Sequence, residues 1–222
     1  MSDADRTALE VTVTAPVVSF RNPLYSGVQV TLPCPSPATV GGMLAAAAGG
    51  WGEVDPQLSF AMAFHARGKG TDLETYHPLD ASGKKASPSP RPREFLADVT
   101  LRVWLFDDLE LWQRRLRRPR WPLRLGRSQD LVGITLRPVV VRAEPGTQGP
   151  AVRPAGPGVM PGMLLRLPTA VATDRARTRW DSYRFDITGR AEAVVPGSWS
   201  TVDGQALVRL PSPHPDTVAQ RV

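Results

Sequence analysis

The sequence contains a single cysteine, Cys34, in 222 residues. One thiol excludes an internal disulfide and any metal site built from several cysteines. No stretch approaches the roughly 18 consecutive apolar residues of a membrane span. The first ten residues are polar and acidic and lack the layout of a secretory signal. We therefore expect a soluble cytoplasmic protein with no membrane contact, no metal and no cofactor.

Lysine is almost as scarce. Lys69, Lys84 and Lys85 are the only lysines, so arginine supplies the other 24 of the 27 cations, and the formal net charge is +6. A guanidinium group grips phosphate bidentately and stacks on bases, which suits a nucleic-acid partner. A GC-rich genome, which favours arginine codons, is the plainer explanation of the ratio itself. The clustering of the arginines is therefore more informative than their number.

Signatures of common enzyme classes are missing as well. The sequence has no GxxxxGK[ST], no HExxH, no GxSxG and no Cys/His metal spacing. Histidine can serve RNA cleavage as a general acid or base, but nothing in the sequence pairs His65, His77 and His214 with one another. We expect a binding protein rather than an enzyme.

Apolar periodicity predicts a β-α-β-β-α-β order in the first two thirds of the chain. Ser36 followed by Pro37 is typical of a helix start, and Asp107-Asp108 precede a second helix whose buried side carries Trp112 and Leu116. Alternating apolar residues predict strands at residues 9–17, 58–66, 95–106 and 132–142. This order is that of an α+β ferredoxin-like domain, an arrangement that RNA-recognition domains share.

Two segments depart from this pattern. Residues 68–94 are rich in lysine, serine, glycine and proline and are too long for an ordinary turn, which predicts an inserted segment. Residues 144–222 open with a Gly/Pro-rich linker and contain only short strand-like runs. We expect a domain at residues 1–143 followed by a small, irregular β-rich C-terminal lobe.

The densest charged feature runs from the end of the second predicted helix into the loop that follows it. Seven arginines occur within fourteen residues, and no acid dilutes them. A solvated helix face is the plain alternative, but such a face normally mixes signs, and a polyanion relieves the mutual repulsion more simply. We favour phosphate binding by this cluster, which comprises Arg114, Arg115, Arg117, Arg118, Arg120, Arg124 and Arg127.

Three further features are compatible with phosphate or base contacts. Gly126 lets the backbone approach a ligand, so we expect a bulkier residue there to weaken RNA binding and to leave the fold largely intact. The helix start at Ser36 and Thr39 presents backbone N–H groups, although capping alone also explains it. A second basic group mixes cations with aromatic rings on which bases could stack, and surface decoration explains it equally well. Its members are Arg175, Arg177, Arg179, Arg184, Trp180 and Tyr183.

Two motifs carry a resemblance to a known family. Phe20-Arg21-Asn22-Pro23, followed by residues 30–47, is similar to an F-R-x-P segment and a T-x-P-x-P-x-x-T helix start. Leu125-Gly126-Arg127-Ser128-Gln129 is similar to an L-G-R-S segment that precedes a last core strand. Together they resemble the RAMP-family subunit of type I CRISPR Cascade known as the Cas5 family, in a type I-B-like form, over residues 9–142.

This resemblance implies a subunit that holds the 5′ repeat-derived handle of CRISPR RNA (crRNA) and caps one end of the row of backbone subunits. It implies contacts with the Cascade backbone subunit, the large subunit and target DNA, and a thumb hairpin at residues 68–94. The RNA-binding residues would be Arg21, Ser36, Thr39, Lys84, Lys85, Arg91, Arg93, Arg124, Gly126, Arg127, Ser128 and Gln129.

An enzymatic alternative stays open at this stage. In type I-C the same family member is a metal-independent endoribonuclease that processes precursor crRNA with tyrosine, lysine and histidine. Tyr25, His65 and Lys84 are the right residue types, but no motif aligns them with that active site. We therefore expect a non-catalytic binder.

Overall fold

Long segments of alternating apolar residues give the chain a mostly antiparallel β architecture with few helices. The computed structural model describes residues 5–22, 24–25, 29–76, 88–156 and 161–219. None of the helices in those ranges is long and apolar enough to cross a membrane.

The secondary structure begins in the predicted order of strands and helices. The first part contains β1 (Arg6–Val18), α1 (Pro37–Ala48), a 3-10 turn (Trp51–Glu53), β2 (Phe60–Tyr76), β3 (Ser89–Leu105), α2 (Leu109–Arg117) and β4 (Gly133–Arg142). The second part contains β5 (Ala151–Pro154), β6 (Met163–Val171), β7 (Thr178–Phe185), β8 (Trp199–Thr201), β9 (Ala206–Leu207) and α3 (Asp216–Ala219).

The nine strands in the described residues belong to one sheet in the order β6-β7-β5-β2-β3-β1-β4-β8-β9. Its centre is the run β2-β3-β1-β4, in which each neighbouring pair is antiparallel. The strands that follow β4 in sequence extend both edges of this centre. Strand β5 pairs with β2 on one side, and β8 pairs with β4 on the other.

The predicted ends of the second and third strands, at residues 66 and 95, are wrong. The two strands continue as an antiparallel hairpin as far as the pair Tyr76 and Ser89. The sequence pattern did not indicate this extension, because the outer half of the hairpin is held by cross-strand charges and not by apolar side chains. The prolines of β3 cost no sheet hydrogen bonds on a second side, since β1 pairs with β3 only as far as Leu96.

Helix α1 packs against one face of the sheet. Its start is as predicted: Ser36 is the N-cap, and its hydroxyl accepts a hydrogen bond from the Thr39 amide. Gly49 ends the helix in the left-handed conformation, with φ of 111°. The apolar face of α1 is buried together with inward-facing residues of the sheet such as Phe60, Phe64 and Leu101.

The opposite face of the sheet has a smaller buried cluster around Trp104 and Phe106. The Trp104 indole donates to the buried carboxylate of Glu10 at 3.0 Å, and Arg137 donates to the other oxygen of that carboxylate at 2.9 Å. The C-terminal strands contribute Leu207 and Trp199 to this cluster. The sheet is therefore covered by apolar residues on both faces near its centre.

Candidate nucleic-acid interface

Two adjoining cavities, here called the loop groove, lie where the end of β1, the start of α1 and the loop before β4 converge. Their volumes are about 530 and 460 Å³, and both are lined by Thr39 and Gly126. The larger also contacts Arg21 and Arg127, and the smaller also contacts Arg124. Segments that lie about 100 residues apart in the sequence, and that carry both family motifs, therefore meet at one surface.

Asp130 holds this convergence together. Its buried carboxylate accepts hydrogen bonds from the backbone amides of Ser19 at 3.1 Å and of Arg127 at 3.0 Å. The Arg127 guanidinium donates to both carboxylate oxygens at 2.9–3.1 Å. A single side chain thus fixes the end of β1 against the loop at residues 124–130.

Gly126 is required by the local packing of this loop. It has φ of +102°, and a Cβ atom added there would lie 2.6 Å from the Ser19 carbonyl oxygen. The expectation that a bulkier residue leaves the fold largely intact is therefore wrong. The clash is with backbone, which has no alternative rotamer, and the positive φ strains any residue with a side chain.

The predicted loop residues differ in how free their side chains are. Arg124 is exposed, as are Ser128 and Gln129. The Arg127 side chain is 17% exposed, and its charge is compensated by Asp130. However, Nη1 of Arg127 is buried without a hydrogen-bond partner among the described residues.

On the opposite rim, Arg21 is exposed and forms an antiparallel bridge with Thr31. Ser36 is buried, and its hydroxyl lies 2.9 Å from that of Thr39 as well as capping the helix. Capping therefore accounts for Ser36, whereas Thr39 lines both halves of the loop groove. Phosphate contacts by these residues stay predictions.

The predicted RNA-binding residues of the hairpin also differ in how free their side chains are. Arg93 donates to both oxygens of Asp72, at 2.9 and 2.6 Å, and pairs with Glu74 at 3.0 Å. These hydrogen bonds raise the pKa of Arg93 and lower that of Asp72. Arg91 is exposed on β3. Lys84 and Lys85 lie outside the described residues.

Arg93 also lies near the loop groove. The carboxylate of Asp130 contributes to the raised pKa of Arg93, and the Arg127 charge contributes to the lowered pKa of Asp72. The hairpin and the loop at residues 124–130 therefore share one network of alternating charges. Within it, both arginines already have carboxylate partners, so Arg21 and Arg124 are the freer cations for a phosphate ligand.

The remaining arginines of the cluster lie in the last turn of α2 or just after it. Trp112 and Leu116 form its buried side, as predicted. Arg115 lies over the Trp112 ring at 5.4 Å and pairs with Glu53 at 3.7 Å. The others are exposed, namely Arg114, Arg117, Arg118 and Arg120.

Two tryptophans offer ring surface in the loop groove. Trp121 is 58% exposed beside Arg124 in the smaller half. Trp180 lies in the larger half with Pro168 and Thr178, which also come from the β6–β7 hairpin. The sequence alone does not separate a stacking role of Trp180 from mere surface decoration, because nothing local indicates that β7 folds back toward α1.

Tyr183, placed in the same basic group, has a different role. It is fully buried, and its hydroxyl lies 2.6 Å from that of Thr169. Burial raises the pKa of Tyr183 to about 12. It is a core residue and offers no stacking surface.

The residues named for the enzymatic alternative are only partly described, because Lys84 lies outside the described residues. His65 is exposed on β2, and Tyr25 is 50% exposed. His214 is buried against the edge of Trp51, and its Nε2 lies 3.1 Å from the Trp51 carbonyl oxygen. His77 lies outside the described residues. Across the described ranges, no three His, Cys, Asp or Glu side chains are grouped as metal ligands.

Solved structures with similar folds come from CRISPR systems. A chain of a "CRISPR RNA-guided surveillance complex" aligns with a TM-score of 0.56 and 16% identity, over 95% of this chain and 92% of that chain. A "CRISPR protein from Archaeoglobus fulgidus" aligns with a TM-score of 0.51 and 16% identity, over 90% and 98%. A chain of "Type III-B Cmr-beta bound to cognate target RNA and AMPPnP" aligns with a TM-score of 0.53 and 8% identity, over 81% and 84%.

At these identities the structural likeness shows the fold alone. No curated protein matches the sequence. The family model described as "CRISPR-associated protein (Cas_Cas5)" matches residues 8–195, which is most of the chain and includes both motifs of the loop groove. The chain therefore belongs to the Cas5 family of CRISPR-associated proteins.

Proposed function

We propose that this protein is a non-catalytic crRNA-binding subunit of a type I CRISPR surveillance complex in the cytoplasm. It holds the 5′ repeat-derived handle of the guide in the loop groove and caps the filament of backbone subunits. The observation that carries the proposal is the meeting of residues from both family motifs, Arg21 and Thr39 with Gly126 and Arg127, around one pair of cavities.

The chemistry of the loop groove suits single-stranded RNA. Arg21 and Arg124 offer exposed guanidinium groups to phosphates, and arginine forks match phosphate oxygens. Trp121 and Trp180 offer faces on which unpaired bases stack. The charge network behind the groove leaves Arg93 and Arg127 as positioning residues that hold its shape.

The same proposal covers the finer features of fold and assembly. The sheet order β2-β3-β1-β4 supports a ferredoxin-like core, and the extended β2–β3 hairpin acts as the thumb that reaches over the guide. The partners are the backbone subunit, the large subunit and, in the assembled complex, target DNA. The F-R-x-P motif supports a type I-B-like subtype.

RNA titration of the purified chain tests the proposal. The handle RNA binds more tightly than a scrambled RNA of equal length. Arg21→Ala and Arg124→Ala each flatten the dependence of log K on log salt by about 0.7, because each removes one phosphate contact. Arg142→Ala, an exposed arginine on β4, is the matched control and leaves the slope unchanged. Equal affinity for both RNAs, with unaltered slopes, overturns the proposal.

Incubation with repeat RNA in EDTA separates binding from processing. The proposed function leaves the RNA intact. Discrete fragments that disappear in His65→Ala would establish the metal-independent endoribonuclease instead.

A further inference from the structure

A second cationic feature lies away from the loop groove, on β5. Arg153 is a buried residue, with only 4% of its surface exposed. Its Nε donates to the Gln148 side-chain oxygen at 3.1 Å, and Nη1 makes a long contact of 3.5 Å with the Pro154 carbonyl. Its Nη2 is buried and has no hydrogen-bond partner among the described residues. In the described part of the chain, one end of this buried guanidinium therefore has no hydrogen-bond partner.

Arg184 on β7 increases this excess of positive charge. It lies directly opposite Arg153 in the β5–β7 register. Its Nη1 donates to the Gly162 carbonyl at 3.0 Å. Like charges directly opposite one another in a sheet repel, and the nearby Arg184 lowers the pKa of Arg153 further than burial alone.

Within the described ranges neither of the two arginines forms an ion pair with a carboxylate. The connecting residues 154–163 contain no Asp or Glu anywhere in their sequence. Arginine keeps its proton at any ordinary pH, so the site cannot become neutral as a buried lysine or histidine does. A buried charge without an ionic partner opposes folding, and a bound anion would balance it.

We propose that Arg153 and Arg184 form an anion site that takes a phosphate group. The free N–H donors of Arg153 Nη2 and the remaining donors of Arg184 face the same side of the sheet, since paired residues share a face. A tetrahedral phosphate presents enough oxygens to accept from two guanidinium forks at once. Its charge of up to −2 balances both cations. The residues are distinct from those of the loop groove, so the inference does not rest on the proposed function.

Thermal unfolding with inorganic phosphate tests the site on the full chain. In phosphate-free buffer Arg153→Met is as stable as the wild type or more stable, because the substitution removes an unpaired buried cation while keeping an unbranched stem. Phosphate at about ten times its Kd raises the wild-type Tm by roughly 3–5 °C. The increase is lost in Arg153→Met and reduced in Arg184→Met, and it is retained in the charge-matched control Arg142→Met.

A second titration identifies the source of the phosphate. If the group belongs to RNA, free phosphate leaves the Tm unchanged, and Arg153→Met flattens the salt dependence of RNA binding by about 0.7 relative to Arg142→Met. If it is a free ion, the Tm shift appears and the RNA slope is unaltered. Should Arg153→Met lose stability equally with and without phosphate, or change neither measurement, Arg153 is a structural residue and the site is overturned. If Arg153→Met does not fold, the same two measurements are made on Arg184→Met, whose position is partly exposed.

Discussion

At the scale of single residues, Asp130 and Arg127 organise the loop groove more than they line it. The Asp130 side chain is 3% exposed and accepts four hydrogen bonds or ion-pair contacts from the backbone and guanidinium of Arg127 and one from Ser19. Sequence reasoning grouped Arg127 with Arg124 because both lie in one run of arginines. It could not separate them, since the distinction depends on which side chain reaches the carboxylate.

The two arginines should therefore differ in stability when each is replaced. Arg127→Ala leaves a buried carboxylate without its cation and should lower the free energy of unfolding by about 2–4 kcal/mol. Arg124→Ala removes an exposed cation and should change it by no more than about 0.5 kcal/mol. Urea denaturation measures both values. Equal losses would show that Asp130 does not depend on Arg127.

At the scale of elements, the sequence predicted α1 well and the β2–β3 hairpin poorly. The helix has local signals at both ends, the Ser36 cap with Pro37 and the left-handed Gly49. The outer hairpin has no apolar alternation, because it is held by Arg93 with Asp72 and Glu74, and by Lys69 with Glu94 at 2.8 Å. Such pairs are visible only once the register is known.

These pairs make the hairpin sensitive to acid. Hydrogen bonds from Arg93 lower the pKa of Asp72, and those from Lys69 and the Thr31 amide lower that of Glu94. A depressed carboxylate pKa adds stability that is fully present above the unfolded values of about 4. That stability is lost as the pH falls through the lower folded values.

Urea denaturation of Asp72→Asn, Glu94→Gln and the wild type between pH 7 and pH 2 measures this contribution. At pH 7 both variants should unfold at a lower urea concentration than the wild type. The difference should shrink below about pH 4, because the wild-type carboxylates then become neutral as well. A gap that persists unchanged to pH 2 would mean that the charges of these residues contribute nothing. Asp98→Asn is a suitable control, because its pair with Arg67 is largely exposed.

At the scale of the whole molecule, the C-terminal strands complete both the sheet and the loop groove. Short strand-like runs in the last third were readable, but their partners were not. Pairing of β5 with β2 and of β8 with β4 joins residues far apart in sequence, which local patterns do not encode. For the same reason, the sequence indicated the groove residues of the two motifs and missed Pro168 and Thr178 opposite them.

Under the proposed function, this arrangement makes RNA binding depend on segments from the middle and from the last third of the chain. Trp121 follows α2 and Trp180 lies on β7, yet both face the loop groove. Stacking of one base on an aromatic ring is worth about 1–3 kcal/mol by alanine substitution, so Trp121→Ala and Trp180→Ala should each weaken handle binding by roughly 5- to 150-fold. The salt slope should stay unchanged, because no phosphate contact is lost.

Trp199 provides the matched control, because it packs in the cluster on the opposite face of the sheet, where Arg6 lies over its ring at 4.6 Å. Trp199→Ala should affect stability and leave the affinity of the folded protein for RNA unaltered. Fluorescence anisotropy with a labelled handle RNA measures all three variants. If only Trp121→Ala weakens binding, the RNA follows the α2 side of the groove alone, and the C-terminal strands support the fold without contacting the guide.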